Sequence, residues 1–261
     1  MGYRTPWETA DVADLTAVLS VVRQFSDSNP DTREMMEPPL GSPAGQDIST
    51  AAGDPARQDR LKHGRALAGI RLAEAARCLD ACVMLVTEMS QPDTAVHALA
   101  RAAIESSAWA RWLCDLSLST EERIARVAAD ELHGRAEKAK LAGEYGHKTE
   151  GHGLLTKQLR TAGIAPANRP GSTEVVGQVL GPEADGRAAM RLTYRNLSAR
   201  PHMSSHVLLS EQGHFSGVVS PIRAAALVWL TTAFEFNQYI GWRQLTPWIE
   251  WANRVKPLLA T

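Results

Sequence analysis

Cysteine is scarce in this chain, and no sign of charge dominates it. There are three cysteines in 261 residues. Cys78 and Cys82 fall i, i+4 on one predicted helix and Cys114 on another, which argues for buried thiols in a reducing compartment and against a disulfide framework. The 28 basic and 29 acidic residues leave a formal charge of -1, so no global field draws the protein to nucleic acid or a membrane, and any such binding must come from a local patch. Long apolar runs are missing too. Residues Met1 to Glu8 lack the apolar stretch of a signal peptide, and the longest apolar-rich run, Ala224 to Phe234, is too short to span a bilayer. The expectation is a cytoplasmic protein with no membrane partner.

Familiar catalytic signatures are also lacking. There is no Gly-Xaa-Ser-Xaa-Gly elbow and no nucleotide-phosphate loop. His202 and His206 have the i, i+4 spacing of a helical zinc pair, but Met203, Ser204 and Ser205 stand where a catalytic glutamate would be needed. Glu144 and His147 have the Glu-Xaa-Xaa-His form of di-iron bundles without a second copy on another helix, and Asp130 with His133 is only a partial substitute. The expectation is no metal and no cofactor.

What is present is helical periodicity. At 44% hydrophobic the chain can bury a sizeable core. A first helix is predicted over residues 9–26, then a stretch rich in proline and glycine up to residue 56 that reads as a flexible linker. The predicted bundle domain covers residues 57–261, and the fold class is all-α. Its second helix runs from near Pro55 toward Ser90, with Ala68, Leu72, Ala75, Ala76, Leu79, Cys82, Val83 and Val86 on one stripe. A third, from Thr94 to about Leu116 with Asp93 as N-cap, is apolar nearly all round and therefore central. Ser119 to Glu122 has capping-box spacing and opens a fourth helix, to about Ala142, whose charges, including Glu122 with Arg126 and Glu131 with Arg135, read as a solvated face. Short helices are predicted over 154–161 and 174–180. Another starts near Pro182, with Met190, Tyr194 and Leu197 facing inward. Past His202 the expectation is either a brief helical continuation or a small hairpin, residues 207–209 with 215–219, and helices over 221–240 and 242–258 complete the chain. The tryptophans, Trp109, Trp112, Trp229 and Trp242 among them, read most simply as core anchors.

One segment brings a cation, an amide, a hydroxyl and an imidazole together: Tyr194, Arg195, Asn196, Leu197, Ser198, Ala199, Arg200, Pro201, His202. Behind it Arg187 and Arg191 extend a basic stripe at intervals of four. In the central helix Arg101 and Glu105, also four apart, share a face. Their ordinary explanation is an ion pair that fixes packing; the functional one is a cleft wall. Arg195 and His202 have six residues between them; Arg57 with His63, Arg126 with His133 and Arg200 with His206 also fall within a window of four to six, where chance provides about two such pairs. Only Arg195 is followed by asparagine.

Arg195, Asn196 and His202, with Arg101 and Glu105 in a central helix, resemble the Arg-(four to six residues)-His pattern of the HEPN superfamily. The layout over roughly residues 60–240 is similar to a bacterial family of helical proteins grouped near HEPN and abortive-infection proteins. The resemblance implies a metal-independent RNA endonuclease of toxin or phage-defence type, acting as a homodimer on RNA, with an antitoxin or other regulatory partner. In that reading His202 moves a proton and Arg195 steadies the phosphoryl charge. Asn196, Tyr194, Ser198, Arg187 and Arg191 would hold phosphate or sugar, beside Arg101 and Glu105. Pro201 departs from it, because it pushes Arg200 out of the helical region and separates Arg195 from His202. The reading from another class is a non-catalytic helical protein that binds a small molecule or protein partner.

Overall fold

A computed structural model describes residues 20, 37–88, 93–145, 151–179, 184–199 and 216–241. Among them are eight helices and no strand: α1 (Pro43–Thr50), α2 (Pro55–Glu88), α3 (Asp93–Cys114), α4 (Thr120–Glu144), α5 (Gly151–Thr161), α6 (Ser172–Gly177), α7 (Ala184–Ala199) and α8 (Ser216–Ile240). The all-α expectation is met. Helix α3 lies at the centre and packs most extensively on α2 and α8, with α6, α7 and α4 around it. All eight residues of the stripe read in α2 are buried. The facing helices are lined by small residues, Ala68 and Ala75 in α2, Ala100 and Ala103 in α3, and Ala225 and Ala233 in α8, each fully buried, so large side chains do not hold the backbones apart. Trp229 fills space between them and donates Nε1 to the Leu72 carbonyl at 2.9 Å. A second, smaller apolar cluster of Leu61, Ile124, Leu155, Leu159 and Ile164 seats α5 on α4 and the start of α2.

Local chemistry explains the helix ends. Ser119 caps α4 by accepting from the Glu122 amide while the Glu122 carboxylate takes the Ser119 N–H at 2.8 Å, the expected reciprocal box. Helix α5 ends on Gly163 at φ 63, with Ile164 N–H bonded to the Leu159 carbonyl at 2.9 Å and Gly163 N–H to Arg160 at 3.1 Å, so the turn folds Ile164 back onto the apolar cluster. At the end of α8, Gly241 has φ 72 and an added Cβ would lie 2.4 Å from Ser42 Cβ. The helix must stop there for its end to meet the start of α1.

Part of the expected linker is therefore packed structure. Residues 43–50 form α1, started by Ser42, which accepts from the Gly45 amide, and by Pro43, whose missing N–H costs nothing at a first turn. Asp47, on α1, is 4% exposed and is the reason this short helix holds. Its carboxylate accepts from Arg123 Nη1 at 2.8 Å, Tyr239 Oη at 2.7 Å and Thr120 Oγ1 at 2.7 Å. Arg123 also lies over the Tyr239 ring, 4.5 Å from its centroid, and donates to the Asp115 carbonyl at 2.7 Å. One acidic residue thus ties α1 to α4 and α8.

The hairpin expectation is corrected at its second strand. Residues 216–219 are the first turn of α8, which begins five residues before Pro221. Residues 207–209, like the helices expected over 9–26 and 242–258, lie outside the described residues apart from Ser20. No helix among the described residues is long and apolar enough to cross a membrane.

Asp47→Ala should cost about 3–5 kcal/mol, because it leaves Arg123 buried without its carboxylate, and lower Tm by on the order of 10 °C. Tyr239→Phe, which removes one donor and leaves the ion pair, should cost far less. Equal Tm values for Asp47→Ala and wild type would show that the carboxylate does not hold α1. Burial pushes the thiols of Cys82 and Cys114 up to about 12, so a disulfide reagent at pH 8 should label half-buried Cys78 first and reach the other two only on unfolding.

Candidate functional site

Two segments far apart in sequence meet where α3 passes α6 and α7. Helix α7 is amphipathic, and Met190, Tyr194 and Leu197 are all buried against the core, as their spacing predicts. The Tyr194 hydroxyl donates to Glu105 Oε2 at 2.7 Å and accepts from Arg101 Nη2 at 3.2 Å, and the Arg101 guanidinium lies 5.2 Å from the ring centroid. The second oxygen of Glu105 accepts from Ser172 Oγ at 2.5 Å, at the start of α6. Arg101 and Glu105 therefore act through other helices rather than as a closed pair on their own. Burial, and then the hydrogen bond into Glu105, raise the Tyr194 phenol above its ordinary value of 10.0. The hydroxyl that looked available for substrate is committed to holding α7.

The arginines of α7 reach solvent all the same. Arg187, Arg191, Arg195 and Asn196 are all exposed. An added Cβ on Gly177 would lie 2.6 Å from Arg191 Nε, so Arg191 crosses the end of α6 where only a hydrogen fits. Ser198 is within α7. His202 and Pro201 lie outside the described residues, and with them the distance on which the Arg/His pairing depends. The structure thus brings Arg101, Glu105 and Tyr194 together and puts Arg187, Arg191, Arg195 and Asn196 in reach of solvent.

Several charged residues treated as surface are part of the interior. Asp130 is 6% exposed and accepts from Arg71 Nη2 at 2.7 Å and Arg169 Nε at 3.0 Å. Both guanidiniums lie over Trp109, Arg169 at 3.7 Å and Arg71 at 5.5 Å from the ring centroid. Asp130 is thereby occupied, and His133 is exposed; among the described residues no group of three His, Cys, Asp or Glu is placed to hold a metal. The i, i+4 pairs expected on α4 give way to longer reaches. Arg126 donates to the Trp112 carbonyl at 2.8 Å, Glu131 sits 3.8 Å from Arg60 and 3.6 Å from His63, and Arg135 donates to Gly151 at 3.0 Å. One signal in the sequence did point inward: Arg123, Val127 and Asp130 fall at i, i+4, i+7.

Comparison with known proteins returns nothing: no family model, curated protein or solved structure matches this chain.

Tyr194→Phe should lower stability by about 2 kcal/mol, the range for a hydrogen bond to a charged group, and should couple to Glu105→Gln in a double-mutant cycle. Additive effects would mean that the contact holds nothing. The raised phenol also sets a pH window. Its contribution is complete below pH 10 and is lost as pH rises through the elevated folded-state value, so Tyr194→Phe should flatten the alkaline limb of the stability profile.

Proposed function

We propose that the chain is a HEPN-like, metal-independent RNA endonuclease of toxin or phage-defence type that acts as a homodimer in the cytoplasm. The observation that carries this reading is the contact of Tyr194 with Arg101 and Glu105. The two segments that carry the resemblance, more than ninety residues apart in sequence, are bonded to each other, and on the same helix Arg195 and Asn196 are exposed. Three cysteines without disulfides suit a reducing compartment.

The chemistry needs few groups. The ribose 2′-oxygen attacks the adjacent phosphorus while its proton passes to the His202 imidazole; the bond to the 5′-oxygen breaks, and that oxygen takes a proton from the imidazolium. The products are a cyclic phosphate and a free 5′-hydroxyl. Histidine suits both transfers because its pKa lies near neutrality. Arg195 meets the charge that develops on the phosphoryl oxygens with a planar pair of donors, and Asn196 offers an amide to phosphate or sugar. Arg191 and Arg187, one and two turns back, would bind successive backbone phosphates and make binding weaken with salt. A second copy completes the site, and an antitoxin or other regulatory partner would hold it in check.

The test is incubation of the full chain with RNA in chelator. Cleavage is expected, and Arg195→Ala and His202→Ala should each slow it by about a hundredfold or more. Arg195 is exposed, so its loss should leave the circular dichroism and Tm unchanged. Cleavage that survives both substitutions, or a folded wild type that leaves RNA intact, overturns the proposal.

A further inference from the structure

Helix α2, the longest of the described helices at 34 residues, buries one side in the bundle and leaves the other to solvent. Opposite the buried stripe stand Leu67, Ile70, Glu74, Arg77, Ala81 and Met84. They are separated by alternating steps of three and four, so they form a single seam of about five turns and 26 Å, with the spacing of a coiled coil. Ile70 is 63% and Met84 48% exposed, Glu74 and Arg77 are exposed, and Leu67 and Ala81 are half-buried. A face that met only water would be polar along its length. This one is apolar at both ends and charged only in the middle. Ala66 and Ala73 beside it are half-buried and small, which leaves room for a second backbone to approach.

The two central charges decide what can cover the seam. Neither Glu74 nor Arg77 is in an ion pair among the described residues. If two copies met in parallel, glutamate would face glutamate and arginine would face arginine. In an antiparallel pair related by a two-fold axis between Ala75 and Ala76, Glu74 meets the partner's Arg77, and symmetry repeats the contact. The same register sets Ile70 on the partner's Ala81 and Leu67 on the partner's Met84. Every layer then matches, opposite charge on opposite charge and apolar on apolar. Sliding one copy by a heptad breaks the match, because Glu74 then falls on the partner's Met84 and Arg77 on the partner's Ala81, so one register is favoured.

We propose that the outer seam of α2 is a self-association surface, covered by α2 of a second copy of this chain running antiparallel to it. The endonuclease reading calls for a second copy without saying where it sits. The surface assigned here is argued from α2 alone and does not depend on cleavage.

Sedimentation equilibrium of the full chain without RNA tests this. Wild type should form a dimer with a Kd in the micromolar range, as suits so short an interface. Glu74→Arg and Arg77→Glu each set like charges against each other twice, and each should weaken the dimer at least about tenfold. Both residues are exposed, so the variants should keep the wild-type circular dichroism. The double reversal E74R/R77E should recover wild-type affinity. An equimolar mixture of the two single variants should form a heterodimer, since every charge at the centre again faces its opposite. Ile70→Asp should weaken the dimer as the single reversals do. A wild type that stays monomeric up to about 0.2 mM overturns the inference. So does a dimer whose affinity the single reversals leave unchanged, or a double reversal as weak as either single. The measurement reads mass without turnover, so its failure is separate from failure of the endonuclease reading, which the RNA assay of Arg195→Ala and His202→Ala decides.

Discussion

A helix surrounded by other helices has nowhere to send its charges except into its neighbours, and α3 is such a helix. Its second half is buried nearly all round, with Ile104, Ala108, Trp109, Trp112 and Leu113 at or below 5% exposure. Yet it carries Arg101, Glu105 and Arg111. An ion held away from water needs a partner with good geometry or the fold loses several kcal/mol. Each of the three finds one on a different helix: Arg101 on α7, Glu105 on α6 and α7, Arg111 on α8. Apolar contact alone would let those helices slide along α3, whereas directional bonds to fixed positions set their register.

The same device recurs at the ends of the bundle. Asp47 gathers Arg123, Thr120 and Tyr239, and Asp130 gathers Arg71 and Arg169. In both places the arginine also lies on an aromatic face, which compensates its charge at short range and packs its flat surface. The loop before α6 shows the consequence. Residues 163–171 contain two prolines and little apolar surface, but Ala167 N–H bonds to the Ala125 carbonyl at 2.9 Å and Arg169 is pinned between Asp130 and Trp109. That loop delivers Ser172 to Glu105, so the order of one irregular segment supports the contact that holds α7.

How far this could be read beforehand follows from what sequence spacing encodes. Periodicity reports which residues of one helix share a face, and it located the α2 stripe, the centrality of α3, the capping box at Ser119 and the buried face of α7. It reports nothing about partners from other helices. Glu122 with Arg126 and Glu131 with Arg135 were paired by spacing, and the structure gives Arg126 and Glu131 cross-helix partners instead. Helix α1 was illegible for the same reason. Its composition matches a linker, and its stability comes from residues 73 to 192 positions away in sequence. At the candidate site the residue choice was partly legible and the roles were not: Tyr194, Arg101 and Glu105 do belong together, but as the fastening of a helix.

That fastening decides what α7 can present. A residue pair spaced by three or four shares a helix face, and a step of one turns the side chain by about 100°. Once Tyr194 is bonded to Glu105 and Arg101, with Met190 and Leu197 buried beside it, the rotation of α7 about its axis is set. Arg187 and Arg191, seven and three residues before Tyr194, then leave the helix close to its buried side and reach solvent past its edge, whereas Arg195 and Asn196, the next two steps, turn away from it. A rotation of one residue step would bury Arg195 or strip Tyr194 from its partners. The buried contact of Tyr194 and the exposure of Arg195 and Asn196 are two consequences of one helix orientation.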